Sequence, residues 1–242
     1  MIDRSSFKAL GRALVPKTPD RAVFVGATAA LVYAGVTRSK KIESVAKPLI
    51  MTSLQAGLWR TRHERDRTEN ALLAVATTAS LAGDVLMMEE EFATGETLSD
   101  MWIKRGASAF AVNHAAMIAL ALRKGARPCG YDLLERLPGM VEGLAVLAVK
   151  RPHLLKPLGS YSAILTAMST MVASSKLVEG APDNSRRRGL ELGGLLFLIS
   201  DGVLLHRRVF LKGDTPRAIG EGVVLSTYSL SQLLLVDGLS EA

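Results

Sequence analysis

Two aspartates carry the strongest chemical signal in this 242-residue chain. Asp201 lies inside Gly189–Phe210, GLELGGLLFLISDGVLLHRRVF, and Asp84 inside Ala71–Phe92, ALLAVATTASLAGDVLMMEEEF. Each follows a run of mostly apolar residues and precedes bulky apolar ones. A charged side chain at mid-helix costs roughly 2.5–3.5 kcal/mol to insert into hydrocarbon, so such residues face a protein interior and serve a pathway or a reaction. Two carboxyls brought together away from water separate in pKa, because desolvation and mutual repulsion keep one protonated while the other ionises. That supplies an acid and a base at one place, and the expectation is that the two carboxylates meet. The competing role for each is structural, as a helix cap or the partner of a buried lysine.

Other polar residues sit where hydrocarbon would exclude them. Lys47 opens a short apolar run, where it either snorkels to the interface or holds a carboxylate ionised or binds a phosphate. His114, preceded by Asn113, falls mid-span, and its ordinary role is a neutral imidazole bonded to a backbone carbonyl. Tyr161 begins a span, as an interfacial anchor does. Tyr228 and Gln232 are four apart and share one helix face, and an amide there needs partners. Glu142, Glu191 and Glu221 lie near span ends and read as solvated or capping. Met87 and Met88 read as packing, Gly193–Gly194 as a site of close helix approach, and Arg186–Arg188 as an anchor for anionic lipid.

The elements that must position these residues are helices. Apolar residues make up 48% of the chain and aromatic ones 5%, with a mean hydropathy of +0.23. Pro157–Ser175 contains no charged side chain, so a helix there has no charged face to offer water. No β-alternation is long enough to suggest strands. The expected fold is all-α, a polytopic membrane helical bundle of about eight transmembrane helices. The candidate spans are Ala22–Thr37, Lys47–Trp59, Ala71–Met88, Gly106–Leu122, Gly139–Val149, Pro157–Ser175, Leu190–Leu205 and Ala218–Val236. Pro48–Trp59 covers only about 18 Å of a ~30 Å hydrocarbon core, and Glu142 interrupts Gly139–Val149.

The expected organisation is a basic lead-in over residues 1–20, in which Ile2, Phe7, Leu10 and Leu14 can lie on a membrane surface. A single membrane-embedded domain over 21–238 and a short tail over 239–242 follow. The third and seventh spans run the same way and place both aspartates at one depth, which suggests a 4+4 parallel repeat. Lys and Arg are more numerous on the side carrying the N-terminus, which predicts cytoplasmic N- and C-termini in a cell membrane. The acidic stretch with Glu89, Glu90, Glu91, Glu96 and Asp100 then falls outside.

A net charge of +7 and pI near 9.7 would suit nucleic acid, but the basic residues form short clusters between apolar runs without aromatic interleaving, which excludes that partner. The single Cys129 rules out an intramolecular disulfide. There is no G-x-S-x-G, H-E-x-x-H or phosphate-binding loop. The four histidines, His63, His114, His153 and His206, lack ligand spacing, so no metal is expected, and a zinc site would have to be assembled from His114 and the two aspartates.

Several of these residues together resemble the YhhN family of integral membrane proteins, which includes the lysoplasmalogenases. The resemblance runs from about Ala46 to Leu235. It is carried by Lys47–Pro48, Gly83–Asp84–Val85–Leu86–Met87, His114, Tyr161 with Met168, Gly194 to Asp201 (GLLFLISD), and Tyr228 with Gln232. The family often has an aromatic three residues beyond the histidine, where this chain has Met117. The resemblance implies an eight-span bundle that hydrolyses the vinyl ether bond of a lysoplasmalogen, without a known cofactor. Asp84 and Asp201 would be catalytic, with Lys47, His114, Tyr161, Tyr228 and Gln232 binding the lysophospholipid substrate. A proton-coupled transporter or a non-catalytic lipid-binding membrane protein would use the same paired carboxylates and stays open on the residues alone.

Overall fold

The computed structural model describes residues 4–178 and 185–241. The described residues are almost entirely helical, with no strand among them. Among the described residues nine α-helices follow in order: α1 (Arg4–Leu14), α2 (Pro19–Thr37), α3 (Lys40–Arg60), α4 (Arg67–Glu91), α5 (Glu96–Arg123), α6 (Gly130–Lys150), α7 (Leu155–Val172), α8 (Ser185–Val209) and α9 (Asp214–Glu241). Each of the eight expected spans has its helix, and most helices extend beyond the apolar run that signalled them. Three of them, α4, α8 and α9, are long and apolar enough to cross a membrane. The uncharged run from Pro157 ends its helix at Val172, and the Ser and Thr residues of α7 lower its hydropathy.

The bundle encloses a set of polar side chains beside its apolar core, and it exposes apolar ones. Asn113, His114, Thr77, Ser80, Ser229, Ser231 and Gln232 are wholly enclosed, whereas Val75, Val112, Val141, Val149 and Ile199 point outward. Among the helices, α4 packs on α5, α8 on α9, and α2 on α3. Between them lies an apolar core that includes Phe24, Leu31, Ile50, Met117, Met168 and Phe197. Small residues set the closest approaches. A Cβ on Gly194 would lie 2.8 Å from Ser169 Oγ and 3.1 Å from its Cα on α7, and one on Gly193 would lie 3.0 Å from Leu235 Cγ on α9, so the pair permits close helix approach on two sides, as the sequence suggested.

The lead-in forms α1 and packs on the start of α8 and the end of α9, with Arg12 bonded to Ser185 Oγ at 2.8 Å. Leu14 joins the bundle core, while Ile2 lies outside the described residues. At the far terminus α9 continues through Glu241 with Leu239 enclosed. Arg186, read as a lipid anchor, donates to the Gly238 carbonyl at 3.2 and 3.1 Å, and Arg188 pairs with Glu191.

The α4 helix starts at a defined cap. Asp66 accepts the Glu69 N–H at 2.9 Å and a bond from Arg123 at 2.6 Å, and these partners hold its carboxyl below the usual value of 3.8. A depressed folded pKa contributes stability above the unfolded value and loses it as pH falls through the folded one. Asp66→Ala is therefore expected to lower the melting temperature at neutral pH. The difference from wild type should vanish under acid conditions below the folded pKa, as read in fluorescence melts across pH.

Candidate active site

The polar interior opens onto one cavity of about 630 Å³, whose walls include Lys47, Asp84, Tyr161, Asp201 and Tyr228. These come from α3, α4, α7, α8 and α9, so no local stretch of sequence builds the site. Apolar side chains such as Leu147, Leu165, Leu195 and Leu198 form most of the remaining wall.

Each aspartate has its own tyrosine. The Tyr161 hydroxyl donates to Asp201 Oδ2 at 2.5 Å. Asp84 is 2% exposed and interacts with the Tyr228 hydroxyl, while its Oδ2 is enclosed without a hydrogen-bond partner. Asp84 and Asp201 thus share the cavity through Tyr228 and Tyr161, and no hydrogen bond joins the carboxylates among the described residues. The two acids line the same cavity, each beside a different tyrosine.

Behind each tyrosine stands a second polar group. His114 Nε2 lies 3.4 Å from the Tyr161 hydroxyl, and Gln232 Nε2 donates to Ser80 Oγ at 2.7 Å, which lies 3.0 Å from the Tyr228 hydroxyl. Neither His114 nor Gln232 lines the cavity; both hold residues that do. Asn113 donates to the Ala76 carbonyl at 2.8 Å and fastens α5 to α4. His114 Nδ1 has no partner, so the backbone-carbonyl bond expected for a buried histidine is absent. The rings of Phe110, Phe197 and Tyr228 meet edge-on with centroids 5.6–6.0 Å apart. These T-shaped contacts fix the tyrosine ring. Gly83 makes room for this cluster, since a Cβ there would lie 2.8 Å from Phe110 Cε2.

Lys47 does not snorkel. It is 7% exposed and donates to Glu43 Oε1 at 3.0 Å, with Asp84 and Glu221 nearby. Glu221, read as solvated or capping, is enclosed and pairs with Arg207 at 2.6 Å. Arg207 also pairs with Glu91 at 2.7 Å, and Arg208 with Glu90. Sequence reasoning missed this network, treating Glu90 and Glu91 as part of an acidic connection. They are instead the last turn of α4. The available signal was the double arginine ending one apolar run and the triple glutamate ending the other. No group of three or more His, Cys, Asp or Glu side chains suited to a metal stands together among the described residues.

Fold and site together define an all-helical membrane-type protein with a carboxylate–tyrosine chamber in its interior. Residues 42–239 match the model of the YhhN family, and the chain belongs to that family. No curated protein and no solved structure matches it.

Proposed function

We propose that this protein is a membrane hydrolase that cleaves the vinyl ether bond of a lysoplasmalogen-type lipid, giving a fatty aldehyde and a glycerophospho-alcohol. The observation that carries the proposal is two cavity-wall aspartates, Asp201 held by the Tyr161 hydroxyl and Asp84 beside Tyr228, facing a largely apolar space sized for a single-chain lipid. Membership of a family that includes lysoplasmalogenases supports the same reading.

The chemistry needs little beyond those groups. A protonated carboxyl delivers H⁺ to the β carbon of the alkenyl ether, and the α carbon becomes an oxocarbenium ion bonded to the ether oxygen. Water guided by the ionised carboxylate adds to that carbon and gives up a proton. The resulting hemiacetal collapses to aldehyde and alcohol, so atoms balance with one water consumed. Proton delivery of this kind contributes typically 10²–10⁴-fold. One of Asp84 and Asp201 donates the proton, and the other stabilises the cation and orients water, as paired carboxyls do in glycoside hydrolysis. Lys47 stands beside Asp84 as its counter-charge. Tyr161 and Tyr228 orient the carboxyls, and His114 and Gln232 orient the tyrosines.

In this reading α2–α9 are eight membrane crossings in the cell membrane, with both termini cytoplasmic. The outward apolar side chains support crossing by the shorter helices, and the Lys/Arg distribution supports the orientation. A 4+4 repeat finds support in matched lengths. Both α4 and α8 have 25 residues with an aspartate at similar depth, and both α5 and α9 have 28. The partners are the lysophospholipid and surrounding membrane lipid.

The direct test incubates purified protein with a lysoplasmalogen and, separately, with the saturated alkyl-ether lysolipid, and follows products by mass spectrometry. Aldehyde is expected from the first alone. Intact lipid in both tubes, with protein shown to be folded, would end the hydrolase proposal.

A further inference from the structure

Six basic side chains line the cavity: Lys47, Arg136, Arg151, His206, Arg207 and Arg208. Five of them have an acidic partner within ion-pair distance. Lys47 has Glu43, Arg151 has Asp100, His206 has Glu142, Arg207 has Glu91 and Glu221, and Arg208 has Glu90. Arg136 has no ion pair among the described residues, although it is only 3% exposed. Its Nε donates to Ser169 Oγ at 2.9 Å and its Nη1 to the Asp132 carbonyl at 2.5 Å, while Nη2 is enclosed with no hydrogen-bond partner. Asp132, Glu135 and Glu191 act on it from beyond ion-pair distance, and Glu191 is itself engaged by Arg188 at 2.9 Å. A charged donor left unmade in the interior is among the costliest polar defects. A planar guanidinium fork is the side chain best matched to two oxygens of an anion.

We infer that Arg136 is the anion-binding site of this cavity and that its ligand is the phosphate of the single-chain phospholipid, an assignment that rests on the lipid-hydrolase reading above. Position supports it. Ser169, which holds Arg136, packs on Gly194 of α8, before Asp201 in that helix, whereas Arg207 lies beyond Asp201. The unpaired and the fully paired cations therefore stand on opposite sides of the aspartates. Ser169 follows Tyr161 by two turns and a fraction of α7, an axial separation of about 12 Å. A glycerol spacer together with the guanidinium–phosphate contact covers that distance. A phosphate on Arg136 thus leaves the alkenyl bond beside Asp201 and Tyr161. Lys47, the expected phosphate ligand, is already bonded to Glu43 and faces Asp84.

The test is binding, read without turnover. Purified protein is titrated with a saturated alkyl-ether lysophospholipid, which has no vinyl ether to cleave, and with the alkylglycerol of the same chain length, which lacks phosphate. Wild type is expected to bind the phosphate-bearing lipid about tenfold or more tightly, the scale of a charged hydrogen bond. Arg136→Gln should abolish that preference and leave the alkylglycerol affinity as it is. Arg151→Gln, which removes another cavity cation, should keep the preference. Arg136→Lys retains the charge without the fork, so a partial preference supports the site even where the glutamine variant folds poorly.

Equal affinity of wild type for the two lipids, or a full preference in a folded Arg136→Gln protein, overturns the assignment. So does inorganic phosphate alone raising the wild-type melting temperature through Arg136 while the two lipids bind alike, because the ligand is then the free anion. An Arg136-dependent preference in a protein that releases no aldehyde keeps the site and removes the hydrolase reading. Aldehyde release with no dependence of affinity on Arg136 removes the site alone.

Discussion

Asp201→Asn is expected to lower aldehyde release from a lysoplasmalogen by about 10²-fold or more, and Asp84→Asn to do the same. The amide keeps the size of the carboxyl and can still accept the Tyr161 hydroxyl at Asp201. It cannot lose or deliver a proton, so the change isolates acid–base chemistry from packing. Both carboxyls act on one bond, and groups that work as a unit are not additive. The double variant should therefore sit close to the worse single variant rather than at the product of the two. Turnover is measured by aldehyde formation, with fluorescence melts and lysolipid binding as controls. Variants that keep a tenth or more of wild-type turnover would leave the aspartates as structural members of the bundle and remove the proposed chemistry.

The second large effect concerns stability. Arg207→Met should reduce unfolding free energy by about 3–5 kcal/mol, the cost of stranding the partner of a buried ion pair. Arg207 is 6% exposed and joins Glu91 of α4 at 2.7 Å to Glu221 of α9 at 2.6 Å from its own place on α8. Removing the guanidinium leaves two carboxylates facing each other beside Glu90, whose charge already belongs to Arg208. Adding Glu221→Gln to Arg207→Met removes one of those uncompensated charges. It should recover part of the loss, a coupling that the double-mutant cycle reads directly. Denaturant unfolding in detergent micelles gives all four corners. Additive effects would mean that the three-helix network contributes no mutual stabilisation.

Much of the helix layout was legible in the sequence, since apolar runs interrupted by polar clusters can form little else away from water. The runs placed eight helices, though most of the boundaries were too short. Pro48–Trp59 is the clearest case. Its helix starts back at Lys40 because Glu43 and Lys47 neutralise one another inside it, and an apolar count treats both charges as helix-ending. The acidic stretch behaved the same way. Glu90 and Glu91 looked like a connection in water, yet Glu90 is buried and Glu91 half-buried against Arg208 and Arg207 of α8.

The sequence by itself determined the residue types at the site, because an aspartate, histidine or glutamine inside an apolar helix has no inexpensive place to be. Asp84 and Asp201 were identified for that reason, Tyr161 and Tyr228 through the family resemblance, and all four line the cavity. Only tertiary structure decided which partner each received. Asp201 takes Tyr161 of α7 and Asp84 faces Tyr228 of α9, while His114 and Gln232 stand one residue back. It also decided that Arg136, unremarkable in its own segment, is the cavity cation left without an ion pair. Hydropathy along a chain reports the cost of a polar group leaving water. The group that offsets that cost is fixed only when helices remote in sequence pack together.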